Sequence, residues 1–404
     1  MKLLNSGIVT ALCLILAAGM LGLVSAEAVN SFSDFFQVLT PPSSPASGKS
    51  RLWVGSAGQQ LACLNSDGSS CYAAGQPQTG ITKNFYITTT GSDSNACTSG
   101  SPCATFARVL SLIPSVVASN YVINVADGTY NQAIDGRGYT GYLSITITGD
   151  TTTPTNVALT GTLSGCAARH PGTHATICLQ GPATTWTIQG ISTTSTVRNA
   201  LFCDNCSAIL SNDTFAGTTT AGINVERGYV TLQNAITVSG FSVGDITDSS
   251  FGIDETYGSQ IIQDSGTLTI SGPGFAGGLQ SYGITEEFGA NFSIVPPTDS
   301  SPTGINITIT SVLNGIQLSG HSGFQSFVST GTISITNSSL ASGAGLQLSN
   351  ATEVDMSPTA LTISNFATCV NAVGLVMMSQ GPGNRSFSCT TPSNAAQGSQ
   401  VILF

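Results

Sequence analysis

Charge is what this sequence has least of. Lys, Arg, Asp and Glu make up 7% of its 404 residues, against a typical quarter. Ten basic residues stand against 20 acidic ones, for a formal net charge of −10. No cluster of Lys or Arg interrupts that excess. Phosphate backbones and anionic membranes are held by clustered cations, so nucleic acid is excluded as a partner. Low charge is not matched by low hydrophobicity: mean hydropathy is +0.24, which argues against disorder. Long apolar runs are also missing after residue 26. Nucleophile-elbow and phosphate-loop motifs are absent. His170 and His174 are four apart, but Pro171-Gly172 forbids the helix on which such a pair binds zinc, so neither a metal site nor a cofactor is expected.

The first 26 residues carry the one long apolar run. Lys2 supplies a positive start, Gly7 to Val24 are apolar, and Val24-Ser25-Ala26 is a small-residue cleavage site, so residues 1–26 read as an export signal. Eighteen apolar residues only just reach the length of a bilayer span. We therefore expect cleavage, no membrane insertion afterwards, and a destination in the medium, at the cell surface or in the periplasm. Cys13 leaves with the signal. Ten cysteines remain, and an even number in an exported chain reads as disulfides. They fall in five sequence-local couples: Cys63–Cys71, Cys97–Cys103, Cys166–Cys178, Cys203–Cys206 and Cys369–Cys389. Residues 27–50, with Pro41-Pro42-Ser-Ser-Pro45, are a linker by composition. Residues 51–80 read as a small β module: a hairpin from Arg51–Val54 and Gln60–Cys63, then a second turn at Asn65-Ser-Asp-Gly68 closed by Cys63–Cys71.

From Thr176 to Val370 a short pattern recurs: a small residue, an aliphatic, then alternation. It reads Thr176-Ile177, Ala200-Leu201, Gly222-Ile223, Gly252-Ile253, Gly283-Ile284, Gly315-Ile316, Gly345-Leu346 and Cys369-Val370, at intervals of 24, 22, 30, 31, 32, 30 and 24 residues. Such periods mark a solenoid, propeller or array; propeller blades usually run about 40 residues or more, and these intervals are shorter. The unit is strand-like, and most strands end at Gly or Asn, which tolerate the left-handed conformation of a tight corner. Ahead of the repeats, Ser101 is placed to cap a helix with Pro102 at its first position. Phe106, Val109, Leu110 and Ile113 give that helix one apolar face, suited to covering the open end of a stack of strands.

Phe85-Tyr-Ile-Thr-Thr-Thr-Gly-Ser-Asp-Ser-Asn95, the helix from Ser101-Pro102-Cys-Ala-Thr-Phe106, and Val122-Ile-Asn-Val-Ala-Asp-Gly-Thr-Tyr130 together resemble the opening of pectin-lyase-like right-handed parallel β-helix proteins. That opening is found in bacterial surface and phage tailspike-like chains. The Arg51–Gly68 module resembles the short β modules of phage tail appendages. The resemblance implies an all-β fold: a right-handed parallel β-helix over residues 84–404, with an N-terminal amphipathic capping helix and the small β module before it. It implies no activity, since the fold carries many functions. The Asn-Thr-Asp, paired-Asp and Arg-Ile-Lys motifs of polygalacturonases are absent, and His321 sits in Gly-His-Ser rather than their Gly-His-Gly.

With the small residue as position zero, position one is aliphatic and points inward. Positions two and four then point outward. Asp204, Glu226, Asp254 and Glu287 fall on that outer face on four consecutive repeats, and position five adds Arg227, Tyr257 and Phe288. The first reading is an exported surface or appendage-type protein that binds a glycan or serves as structure without a catalytic motif. The alternative is a polysaccharide lyase or glycoside hydrolase with Glu226, Asp254 and Glu287 as its catalytic carboxylates, and substrate contacts are expected from Asp204, Arg227, Tyr257 and Phe288. The carboxylate spacing suits glycoside chemistry, and the aromatics suit stacking on sugar rings. The expected partner is a polysaccharide or surface glycan. The same strip, read blandly, is a solvated acidic face or one that takes calcium; a structural stalk, homotrimeric as in tailspike-like chains, is the third reading. Glu255 and Glu286 fall at inward position three. There an unpaired carboxylate is costly, and a one-residue slip of register would invert every face.

Overall fold

The computed structural model describes residues 50–54, 61–65, 82–166, 173–194, 198–217, 220–241, 249–272, 280–295, 304–327, 331–338, 342–350, 352–355, 360–374, 376–379 and 384–395. The expected signal and most of the linker lie outside these residues. The chain divides into two compact units, Met1–Pro77 and Gln78–Phe404. The first contains the expected hairpin, Ser50–Val54 paired antiparallel with Leu61–Asn65. Cys71 lies outside the described residues, and with it the proposed Cys63–Cys71 bond.

The second unit is a right-handed parallel β-helix. Its strands collect into a 19-stranded and an 11-stranded sheet among the described residues. The smaller sheet carries the repeat. Ile177, Leu201, Ile223, Ile253, Ile284, Ile316, Leu346 and Val370 stand in one column, each in register with the next. All are buried, and each contributes about 1.5–3 kcal/mol relative to exposure. The small residue beside them has a steric reason. A Cβ on Gly222, Gly252, Gly283, Gly315 or Gly345 would meet Val238, Ile270, Ile309, Ile335 or Ile363 at 2.1–2.5 Å. The aliphatic column of the opposite sheet fills that space.

The N-terminal lid is a helix, α1 (Phe106–Ser111), with Phe106, Val109 and Leu110 buried. It begins later than the sequence pattern predicts, and Ser101 does not cap it. Thr105 does, accepting the N–H of Arg108 at 3.0 Å. Residues 101–103 are held in extended form instead. Cys103 is bonded to Cys97, its N–H donates to the Tyr86 carbonyl at 2.9 Å, and Ser101 bridges Thr98. These ties compete with the helix and win.

Two further expected disulfides are present, Cys203–Cys206 and Cys369–Cys389. The fourth is not. Cys166 and Cys178 are free thiols, both buried. They lie against Ala175, Phe202 and Leu163, where a hairpin of Leu163–Ser164 with His174–Gln180 folds onto the strand. The two thiols share a hydrogen bond, which together with burial pushes Cys178 up. A free cysteine in such surroundings packs as a small hydrophobe, and an even count cannot separate a packed thiol pair from a bonded one. Among the described residues no helix is long and apolar enough to cross a membrane.

Candidate functional site on the outer strand face

The register places the sequence-selected residues on one outer face. Asp204 is in register with Glu226; Glu226 with Thr256 and Asn224 with Asp254; Thr256 with Glu287 and Asp254 with Thr285. Neighbouring strands lie about 4.8 Å apart, so the backbones of Asp204 and Glu226 are separated by about that distance and those of Glu226 and Glu287 by about twice it. Asp254 sits on the diagonal between Glu226 and Glu287. These separations bracket the roughly 5–5.5 Å and 6.5–9.5 Å that retaining and inverting glycosidases keep between their carboxyls.

The corner after this face has one backbone device. Position five is left-handed in every rung whose corner is among the described residues: Gly138, Gly181, Asn205, Arg227, Tyr257, Phe288, Gly320, Asn350 and Gly374 all have φ between 51° and 108°. Gly and Asn adopt that conformation readily. Arg, Tyr and Phe do so at a cost of about 1–3 kcal/mol each, a kind of strain that clusters at functional sites. Here the three bulky corners are consecutive. Tyr257 and Phe288 stack on one another, centroids 5.3 Å apart and 8° from parallel, yet they are 43% and 59% exposed. The next corner, Gly320, puts no side chain against the far side of Phe288.

A second aromatic pair was not legible with the ruler used. Phe251 and Tyr282 stand one residue before the small position and stack at 5.4 Å and 16°. They occupy the same two rungs as Tyr257 and Phe288. Six residues of strand separate the pairs, at most about 20 Å at 3.3 Å per residue. Asp254, Thr285, Thr256 and Glu287 lie between them. Extending the ruler by one position N-terminal would have found this wall.

Charge on the strip is unevenly balanced. Arg227 forms an ion pair with Asp204, which also accepts from Gln180 at 3.2 Å. Both line a shallow pocket of about 270 Å³ with Tyr139, Thr140, Gly181 and Asn205. Asp254 has no cation. It accepts one hydrogen bond, from Asn224 Nδ2 at 2.9 Å. Burial first, then Glu287 and Glu226, push its carboxyl up to about 7. Asn224 Oδ1 and Thr285 Oγ1 are buried without a hydrogen-bond partner. No three His, Cys, Asp or Glu side chains among the described residues converge closely enough to hold a metal ion.

Glu255 and Glu286 point inward, in register with each other and fully buried; the register does not slip. Burial pushes both carboxyls well up, with Asp254 adding to the effect on Glu255 and Glu255 to that on Glu286. Glu286 Oε2 accepts the N–H of Phe292 at 3.1 Å, reaching across the corner that displays Phe288.

Residues 89–264 match the family model DUF1565, described as a protein of unknown function; this is less than half of the chain. No curated protein matches it. A solved structure of a rhamnogalacturonan lyase overlaps 73% of this chain and 74% of its own, at 12% identity and a TM-score of 0.31. A likeness that slight carries no argument about activity. What remains is the geometry of the outer face itself.

Proposed function

We propose that this is an exported β-helix protein that binds a glycan along the outer face of its smaller sheet. The carrying observation is the pairing of two aromatic stacks on the same two rungs, with carboxyl and hydroxyl groups between them. Sugar rings present apolar C–H faces that lie flat on aromatic rings and hydroxyls that bond to carboxylates and amides, the mixture of walls and convergent polar groups that binding sites use. Strained backbone at Tyr257 and Phe288 supports the same reading, because folding alone favours Gly or Asn there. The three disulfides are compatible with export.

The test is co-elution of the purified mature protein with neutral and acidic polysaccharides, with and without calcium. Binding is expected, and Tyr257→Ala with Phe288→Ala should lower retention at least about tenfold, a loss of about 1.4 kcal/mol. Retention unchanged in that double variant would overturn the assignment of the site.

One observation favours a second reading, cleavage of the bound glycan. Asp254 is poised to exchange a proton near neutral pH, as general acids and bases are, with Glu226 and Glu287 on either side. If the face cleaves, glycan chains shorten during the same incubation and Asp254→Asn abolishes the shortening. Chains of unchanged length leave a binding module.

A further inference from the structure

The charge of the ligand follows from what the strip holds and lacks. Arg227, at the corner of this face, is already paired with Asp204. Asp254 and Glu287 face outward on neighbouring rungs, and no described Lys, Arg or His pairs with either. An acidic sugar would add further negative charge to a partly buried, low-dielectric strip that already holds Glu226, Asp254 and Glu287, where like charges repel most strongly.

The polar atoms around Asp254 point the same way. Asn224 is 9% exposed and spends its Nδ2 donor on Asp254, which leaves its Oδ1 acceptor without a donor. Thr285, on the other side of Asp254 in the same row, is 1% exposed, and its Oγ1 also has no partner. An orphaned buried acceptor costs free energy until a donor arrives. Asn224 Oδ1 is an acceptor and the Thr285 hydroxyl can donate or accept, so the row does not oppose a ligand rich in donors. An ammonium group supplies three donors and a positive charge. A compact divalent cation fits less well, because the carboxylates are strung along the ladder instead of converging. A polymer carrying a positive charge at intervals matches a ladder that repeats every rung.

We propose that the glycan bound on this face is an amino sugar polymer with free, protonated amines. This rests on the glycan reading above and sharpens it. Ammonium groups sit against Asp254 and Glu287, and the sugar rings lie on the Tyr257–Phe288 shelf.

The test compares three tetrasaccharides by calorimetry at pH 7 and low salt: β-1,4-linked glucosamine, N-acetylglucosamine and galacturonate. Oligolysine serves as the control for simple attraction to an acidic protein. The glucosamine tetramer should bind at least about tenfold more tightly than the acetylated one, and galacturonate should not bind. Asp254→Asn with Glu287→Gln should erase the preference for the free amine. Asp264→Asn, which removes a carboxylate elsewhere, should leave it intact, and Tyr257→Ala with Phe288→Ala should weaken the sugar but not oligolysine. Thermal melting of each variant establishes that it folds. Equal binding of the acetylated and free tetramers overturns the amine assignment and keeps the glycan reading. Binding of glucosamine no better than oligolysine, and indifferent to the aromatic variants, overturns the assignment as mere charge attraction. Binding of none of the three sugars overturns this proposal and, for these glycans, the reading beneath it.

Discussion

Glu255 and Glu286 are the residues at which charge and packing conflict most directly. The pair occupies a column that holds Val225 in the rung before Glu255 and Leu318 in the rung after Glu286, and both are fully buried. Their raised folded-state pKa means that the folded chain keeps protons that the unfolded chain releases above about pH 4.5. Stability should therefore be greatest in mild acid and fall as pH rises, by up to about 1.4 kcal/mol per pH unit for each proton retained. Asp254 acts with the same sign, but only until its own titration near pH 7. Urea unfolding of Glu255→Gln/Glu286→Gln between pH 5 and 9 should show a shallower fall than the parent. The slope that remains should flatten above pH 7. A parent whose stability is constant over this range would show that the pair is accommodated as carboxylates. The sequence placed these two residues inward by register but could not say so firmly, since an inward carboxylate and a slipped strand look alike until the pairing is seen.

At the scale of the element, the corner column separates what the fold needs from what it displays. The period of small and aliphatic residues predicted the inward column and its register, because each Gly answers to a side chain on the opposite sheet. It also placed Tyr257 and Phe288 beside the outer acidic residues, at position five of the repeat. The left-handed backbone there was not legible, because Arg, Tyr and Phe are poor signals for it. The helix start was missed for a related reason: a disulfide and a bridge to the adjoining strand overrode a local capping pattern. Tyr257→Asn with Phe288→Asn tests the separation. Asn relieves strain of about 1 kcal/mol or more per corner, while the lost ring stacking was worth about 0.5–1.5 kcal/mol. The unfolding free energy should stay within about 1 kcal/mol of the parent while glycan capture is lost. By contrast, Ile253→Ala, in the buried column, should cost about 2–5 kcal/mol. An Asn pair as damaging as the core variant would make the aromatics structural.

For the whole molecule, the solenoid gives each rung only its neighbours to lean on, and the disulfides are local to match: Cys97–Cys103, Cys203–Cys206 and Cys369–Cys389 each join nearby segments. Cys166 and Cys178 are the exception in redox state. Alkylation without reduction, followed by peptide mass mapping, should leave them unmodified in the folded protein and label both in denaturant, while the six bonded cysteines stay unlabelled in either condition. Finding Cys166 and Cys178 joined would restore the pairing that their spacing suggested.

Nine rungs share the same left-handed corner, and in six of them the residue there is Gly or Asn. At five of those six the backbone leaves space for a side chain held out from the same edge, whereas at Gly181 a Cβ would meet the Tyr139 carbonyl oxygen at 2.8 Å. Which rungs form the shelf is thus written in single codons, with little demand on the interior. Moving an aromatic to position 320 would lengthen the shelf by one step, and returning 288 to Asn would shorten it. A lineage using this scaffold can retune the length of glycan it grips without redesigning the barrel of strands behind it.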